Sequence, residues 1–159
     1  MEIRKHVRGI AHDTDVAKIT LAGVPDRPGI AHALFAPLAE AGVSVDVIVQ
    51  TANLAGNAEI SFTVGRSDFS RALQIAERVG RDLGASVESA PGLAKVSIVG
   101  TGLQSAPGYA ARMFGTLAEH AINIDTITTS DIRITCVIGE AAVPEAVRAL
   151  HAAFELDEG

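Results

Sequence analysis

The sequence predicts an α+β chain of two tandem domains, each an antiparallel sheet with two helices on one face. Three observations carry this: the chain repeats itself, each repeat reads β-α-β-β-α-β, and the first repeat ends in a strand where the second stops short. The repeat comes first. Ala17-Lys-Ile-Thr-Leu-Ala-Gly23 recurs as Ala94-Lys-Val-Ser-Ile-Val-Gly100. Pro28-Gly29 with Ala31, Phe35, Leu38, Ala39 and Glu40 recurs as Pro107-Gly108 with Ala110, Phe114, Leu117, Ala118 and Glu119. Val43-Ser-Val-Asp46 recurs as Ile122-Asn-Ile-Asp125, and Ile60-Ser-Phe-Thr-Val-Gly65 as Ile134-Thr-Cys-Val-Ile-Gly139. Order and spacing are kept, so the halves are duplicated domains of roughly 75 residues.

Each element then follows from pattern. Residues 16–24 alternate with β-branched character and predict a strand. Pro28 opens a helix, where a missing N–H is no loss, with Ala31, Leu34, Phe35 and Leu38 on one face. Gly42 ends that helix. Residues 43–51 and 58–64 predict two strands joined through Ala55-Gly56-Asn57. Ala72, Ile75, Ala76 and Val79 mark a second helix, and 85–90 a short last strand. This order is the ferredoxin-like split motif. The second copy runs through strand 93–100, helix 107–120, strands 122–128 and 131–138, and helix 143–154. Its sixth element is missing, which leaves a sheet edge bare. The segment Val7-Arg-Gly-Ile-Ala-His12 belongs to neither count, so residues 4–11 are expected to supply that strand. The expected domains are therefore 13–92, inserted, and 1–12 plus 93–159.

Composition narrows the function. With 48% hydrophobic and 20% charged residues the chain is folded, yet Trp is absent and aromatics are 4%, so the core rests on Ala, Val, Ile and Leu. Small domains with few large side chains bury limited area, which favours a partner surface or dimer. The net charge is −6 and the 13 basic residues are scattered, which argues against nucleic acid. No run of 18 apolar residues and no signal peptide is present, so a cytoplasmic location and no membrane are expected. Cys136 lies in the apolar run Ile134-Thr-Cys-Val-Ile138 and reads as a reduced, buried thiol.

A search for catalytic chemistry finds little. Gly100-Thr-Gly102-Leu-Gln-Ser105 resembles the start of a dinucleotide fingerprint, with Asp125 at a plausible distance. Ser105 in place of the third glycine, the shift imposed by Pro107-Gly108, and the absence of the pattern from the duplicate loop argue against it. The five histidines at 6, 12, 32, 120 and 151 have no paired metal-ligand spacing. No carboxylate pair is set apart for acid–base work. What does repeat is a strand–loop–helix junction, Gly23-Val-Pro-Asp-Arg-Pro-Gly29 and its counterpart Gly100 to Gly108. A helix N-terminus offers N–H groups and partial positive charge to a carboxylate. Asp26 beside it would pair with an ammonium, and Gly29 would let a ligand approach the backbone. Together these describe a seat for a free amino acid. A plain helix terminus, with Asp26 complementing the dipole, accounts for the same residues.

Asp26-Arg-Pro-Gly29, Val45-Asp-Val-Ile-Val-Gln50, Lys95-Val-Ser-Ile-Val-Gly100, Asn123-Ile-Asp-Thr-Ile-Thr-Thr-Ser130-Asp-Ile-Arg-Ile134 and the ending Arg148-Ala-Leu-His-Ala-Ala-Phe-Glu-Leu-Asp157 resemble the tandem ACT domains of bacterial aspartate kinase. The resemblance covers essentially the whole chain. It implies a regulatory region without a catalytic site of its own, serving a kinase that transfers phosphate from ATP to the aspartate side-chain carboxylate at the head of lysine, threonine and methionine synthesis. Some bacteria also make this region as a separate small subunit, which this chain resembles; an excised fragment of the long chain would look identical. The implied effector is threonine, alone or with lysine, bound where ACT domains meet in a homodimer, with the catalytic subunit as second partner and no cofactor in this chain. Carried over by position, Asp26, Gly29, Ile30, Ala31 and Gln50 form the first-domain side, Asn123 and Ile124 the opposing side. Asp46 and Ser130 match positions tied to lysine sensing or feedback control. Ala106 and Ala110 replace His and Thr of some members and the 51–57 loop differs, which weakens a lysine site more than a threonine one. An ACT-type sensor serving another biosynthetic enzyme is the alternative.

Overall fold

A computed structural model describes residues 6–53, 55–105 and 108–155. Strands and helices follow in the order β1 (Val7–Pro25), α1 (Ile30–Glu40), β2 (Val45–Ala52), β3 (Asn57–Val64), α2 (Phe69–Leu83), β4 (Ser86–Gly100), α3 (Tyr109–Glu119), β5 (Thr126–Thr129), β6 (Arg133–Gly139) and α4 (Val143–Ala153). The chain divides into two compact units. One is Asp15–Gly92; the other joins the N-terminal segment through Thr14 to the chain from Leu93 onward.

In the Asp15–Gly92 unit the strand order is β2-β3-β1-β4. The antiparallel register pairs Ile19 with Phe62 and Leu21 with Ile60. Those four side chains share a face because paired residues point the same way across a ladder. They pack with Leu34 and Leu38 of α1 and with Ala72 and Ala76 of α2, all fully buried or nearly so. Ile30, Leu34 and Leu38 are the buried residues of α1, four apart and so stacked on one side of the helix. Phe62 is the largest fully buried side chain and meets Phe35 edge-on, ring centroids 5.4 Å apart.

In the other unit the order is β1-β4-β6-β5. Val96 pairs with Cys136 and Ile98 with Ile134. Val7 is buried in the same cluster as Ala94, Val96, Ile98, Met113, Leu117 and Leu150. The His6 carbonyl accepts from the Thr101 N–H at 3.1 Å. Of the expected strand 4–11, residues 4 and 5 lie outside the described residues.

Three expectations change. The strands foreseen at 4–11 and 16–24 are one strand, β1, and those at 85–90 and 93–100 are one strand, β4. His12-Asp-Thr-Asp15 contains neither Gly nor Pro, and Gly92 is not among the positive-φ glycines, so nothing turns the chain at either point. The helix start also moves. Pro28 precedes the helix, and Gly29 is the N-cap at φ 92°; in the second copy Gly108 is the N-cap at φ 105°. Pro107, expected to open that helix, lies outside the described residues. Strand 122–128 shortens to Thr126–Thr129, because Ala121 takes φ 56° and the chain is still leaving α3 through Asn123 and Ile124.

Candidate functional site

The β1–α1 junction of the Asp15–Gly92 unit is built at the end of the sheet where β2 and β3 turn. Asn53 organises that turn: its Oδ1 accepts from the N–H groups of Ala55 at 2.9 Å and Asn57 at 3.2 Å. The Gly56 carbonyl then accepts from the Asp26 N–H at 3.0 Å, which ties the turn to the junction. The Asp26 side chain is exposed, as is Gly29. Ile30 is buried and anchors the helix start to the core, while Ala31 is half-buried beside it. The Ile30 N–H donates to the Arg27 carbonyl at 3.4 Å, and no side chain caps the helix N-terminus, which leaves room at the other first-turn N–H groups for solvent or a ligand. A left-handed N-cap favours glycine for its backbone, since nothing lies within 4 Å of where a Cβ would stand.

Gln50 sits on β2 opposite Ile60, whose other neighbour is Leu21 of β1, and it is exposed. It therefore belongs to the same end of the sheet as Asp26 and Gly29. Asp46 does not. It lies at the start of β2, four residues and about 13 Å of strand from Gln50, beside an irregularity in the ladder between Val45 and Ile48. Asn123, Ile124 and Ser130 belong to the other unit. Asn123 is exposed, Ile124 is half-buried against that unit's core, and Ser130 is in the β5–β6 turn, its N–H donating to the Arg133 carbonyl at 2.7 Å. Ala110 falls in the first turn of α3; Ala106 lies outside the described residues.

Three exposed residues were not singled out from the sequence: Ile48 at 54%, Ile127 at 46% and Ile132 at 55% of their full accessible surface. Ile48 pairs with Phe62 and Ile127 with Cys136, so both occupy the helix-covered face of their sheets, yet on outermost strands, where they stay exposed. Val47-Ile-Val49 and Thr126-Ile-Thr128 place an isoleucine at the same point of the repeat, which marks the position but not its exposure. Cys136 is fully buried, and burial pushes its thiol pKa up to about 12. Among the described residues no three His, Cys, Asp or Glu converge as metal ligands, and no helix is long and apolar enough to cross a membrane.

A family profile for the ACT domain matches residues 19–79 and again 96–154. The crystal structure of the ligand-free regulatory subunit of aspartate kinase from Thermus thermophilus superimposes with a TM-score of 0.89 at 42% identity, over 94% of this chain and 99% of that one. The chain belongs to the ACT-domain regulatory subunits of aspartate kinase. The aspartate kinase Ask_LysC of Stutzerimonas stutzeri is 45% identical over 152 residues, 95% of this chain but 37% of its own length. The aspartokinase of Thermus thermophilus is 42% identical over 160 residues, 99% of this chain and 40% of its own. This ACT-domain chain thus spans about two fifths of the full-length aspartokinases it matches. A crystal structure of aspartokinase alpha and beta subunits contains a chain similar to it, with a TM-score of 0.87 at 41% identity. The antiparallel α+β architecture agrees with that family, and the duplication seen in the sequence is the pair of ACT domains.

Proposed function

We propose that this chain senses free threonine, alone or with lysine, and transmits feedback inhibition to the catalytic subunit of an aspartate kinase. The observation that carries the reading is the likeness, at 42% identity and near-full coverage of both chains, to an aspartate kinase regulatory subunit solved in a ligand-free form. The effector's carboxylate takes the first-turn N–H groups of α1, Asp26 receives its ammonium, and Gly29, Ile30, Ala31 and Gln50 complete the first-domain side. Asn123 and Ile124 of a second copy close the site, and Asp46 and Ser130 serve a second effector or the feedback response. The exposed Ile48 and Ile127 on outermost strands support a homodimer, since each leaves apolar surface beside unpaired strand backbone. The first ACT domain, 13–92, is inserted in the second, and the N-terminal segment supplies the second domain's last strand.

An effector that bridges two copies stabilises the assembly holding both surfaces, and it inhibits when that assembly disfavours the active kinase. Such couplings are about 1–3 kcal/mol, or roughly 5–150-fold in affinity. The test is to combine this chain with an aspartate kinase catalytic chain and assay aspartate phosphorylation against threonine. Inhibition that requires this chain supports the reading; activity indifferent to both chain and threonine contradicts it.

A further inference from the structure

Apart from the β1–α1 junction, the unit that starts at Leu93 and includes the N-terminal segment carries an open groove of about 470 Å³. It is lined by His12 of β1 and by Val143, Pro144, Val147, Arg148 and His151 of α4. The positions 144, 147, 148 and 151 recur at helical spacing, so one side of α4 forms a wall with His12 across from it. Its apolar part is Val143, buried, with the half-buried Val147 and the exposed Pro144 beside it. Its polar part is one cation and two imidazoles. Arg148 is a permanent cation, and an imidazole donates from at least one ring nitrogen in either protonation state.

Among the described residues no carboxylate lines this groove, although the chain carries a net charge of −6. Glu145, the acid in the first turn of α4, is engaged elsewhere, its Oε1 3.1 Å from Nδ1 of His120. Pro144 removes a backbone N–H from the helix start, so anion recognition falls on Arg148 and the two imidazoles rather than on the helix terminus. The volume is within the range of small-molecule sites, about 300–1,000 Å³. We propose that this groove binds a small organic carboxylate that lacks an amino group. The carboxylate pairs in bidentate fashion with the Arg148 guanidinium and accepts from His12 and His151, and a short aliphatic body lies on Val143, Pro144 and Val147. With no acid among the described lining residues the groove differs from an amino-acid site, because an ammonium would lie near the Arg148 cation with no carboxylate there to pair it.

The experiment is a methyl and imidazole NMR titration of the full chain with 3-methylbutanoate, with 3-methylbutanamide and valine as comparisons. The expected result is saturable shifts at Val143, Val147, His12 and His151 with 3-methylbutanoate, at least tenfold weaker with either comparison compound. Arg148→Gln, an exposed position, weakens the 3-methylbutanoate titration at least tenfold while the buried Ile98 methyls keep their positions. Absence of saturation, equal response to the amide or to valine, or unchanged affinity in Arg148→Gln overturns the proposal.

Discussion

Ser97 and Thr135 face each other across β4 and β6, their hydroxyl oxygens 2.7 Å apart and both side chains buried. Thr20 and Ser61 stand at the same two positions of the first repeat, 2.9 Å apart. The duplication has kept a hydroxyl pair on the sheet face away from the helices, with the two residue types exchanged. A buried hydroxyl without its partner keeps its desolvation cost. Thr135→Val, which preserves shape, is expected to cost about 1–2 kcal/mol by stranding Ser97. Ser97→Ala with Thr135→Val together is expected to return most of that loss. Denaturant midpoints of the three chains check it, and additive losses in the double variant would contradict it.

Gly42 and Ala121 end α1 and α3 at equivalent places in the repeat, with φ 75° and 56°. Only the first is glycine, so the second copy holds an alanine in the left-handed region. Gly42→Ala is expected to destabilise by about 1 kcal/mol, and Ala121→Gly to stabilise by about 0.5 kcal/mol after the greater entropy of the unfolded glycine is subtracted. Thermal melts of the two single variants should move in opposite directions.

The Cys136 thiol gives a signature at high pH. Folded, it keeps its proton to about pH 12; unfolded, it releases it near its ordinary 9.0. The folded state therefore binds more protons across that interval, and this stabilising contribution, complete below pH 9, is lost as pH rises toward 12. A Cys136→Ala chain is expected to lose less stability between pH 8.5 and 10.5 than the parent, as chemical denaturation at each pH would report. The native thiol should also resist alkylation at pH 8 until the chain unfolds.

At the junction, Asp26→Ala and Gln50→Ala are expected to weaken threonine binding at least tenfold, about 1.4 kcal/mol. Neither should shift the melting midpoint by more than a degree or two, because both side chains are exposed. Unchanged affinity in both variants would remove these residues from the site. Gly29→Ala separates backbone from side-chain effects: it should cost about 1–2 kcal/mol in stability through its left-handed φ alone.

The repeat made most of the architecture legible. A period of about 3.6 placed the core faces of α1 and α2, and alternation placed Ile19, Leu21, Ile60 and Phe62 on one side of the sheet. The merging of 4–11 with 16–24 into β1 was not legible, since two strands that share a direction read the same as one when no turn residue intervenes. The helix starts were misplaced by the usual preference of proline for a first turn, which the left-handed Gly29 and Gly108 supersede. Around the candidate site, Asp26 and Gly29 announced themselves through charge and the Pro-Gly motif. Ile48 and Ile127 did not, because their exposure depends on how far the helices reach across the sheet, and a linear pattern holds no record of that.

The central claim is that this chain by itself recognises threonine at a site shared between two copies. Calorimetric titration with threonine, then lysine, methionine and isoleucine, alongside sedimentation of the same samples, tests it most directly. Saturable threonine binding, one equivalent per chain, with a dimer as the sedimenting species is the predicted result. A monomer throughout, or no heat of binding with any of the four, would contradict it.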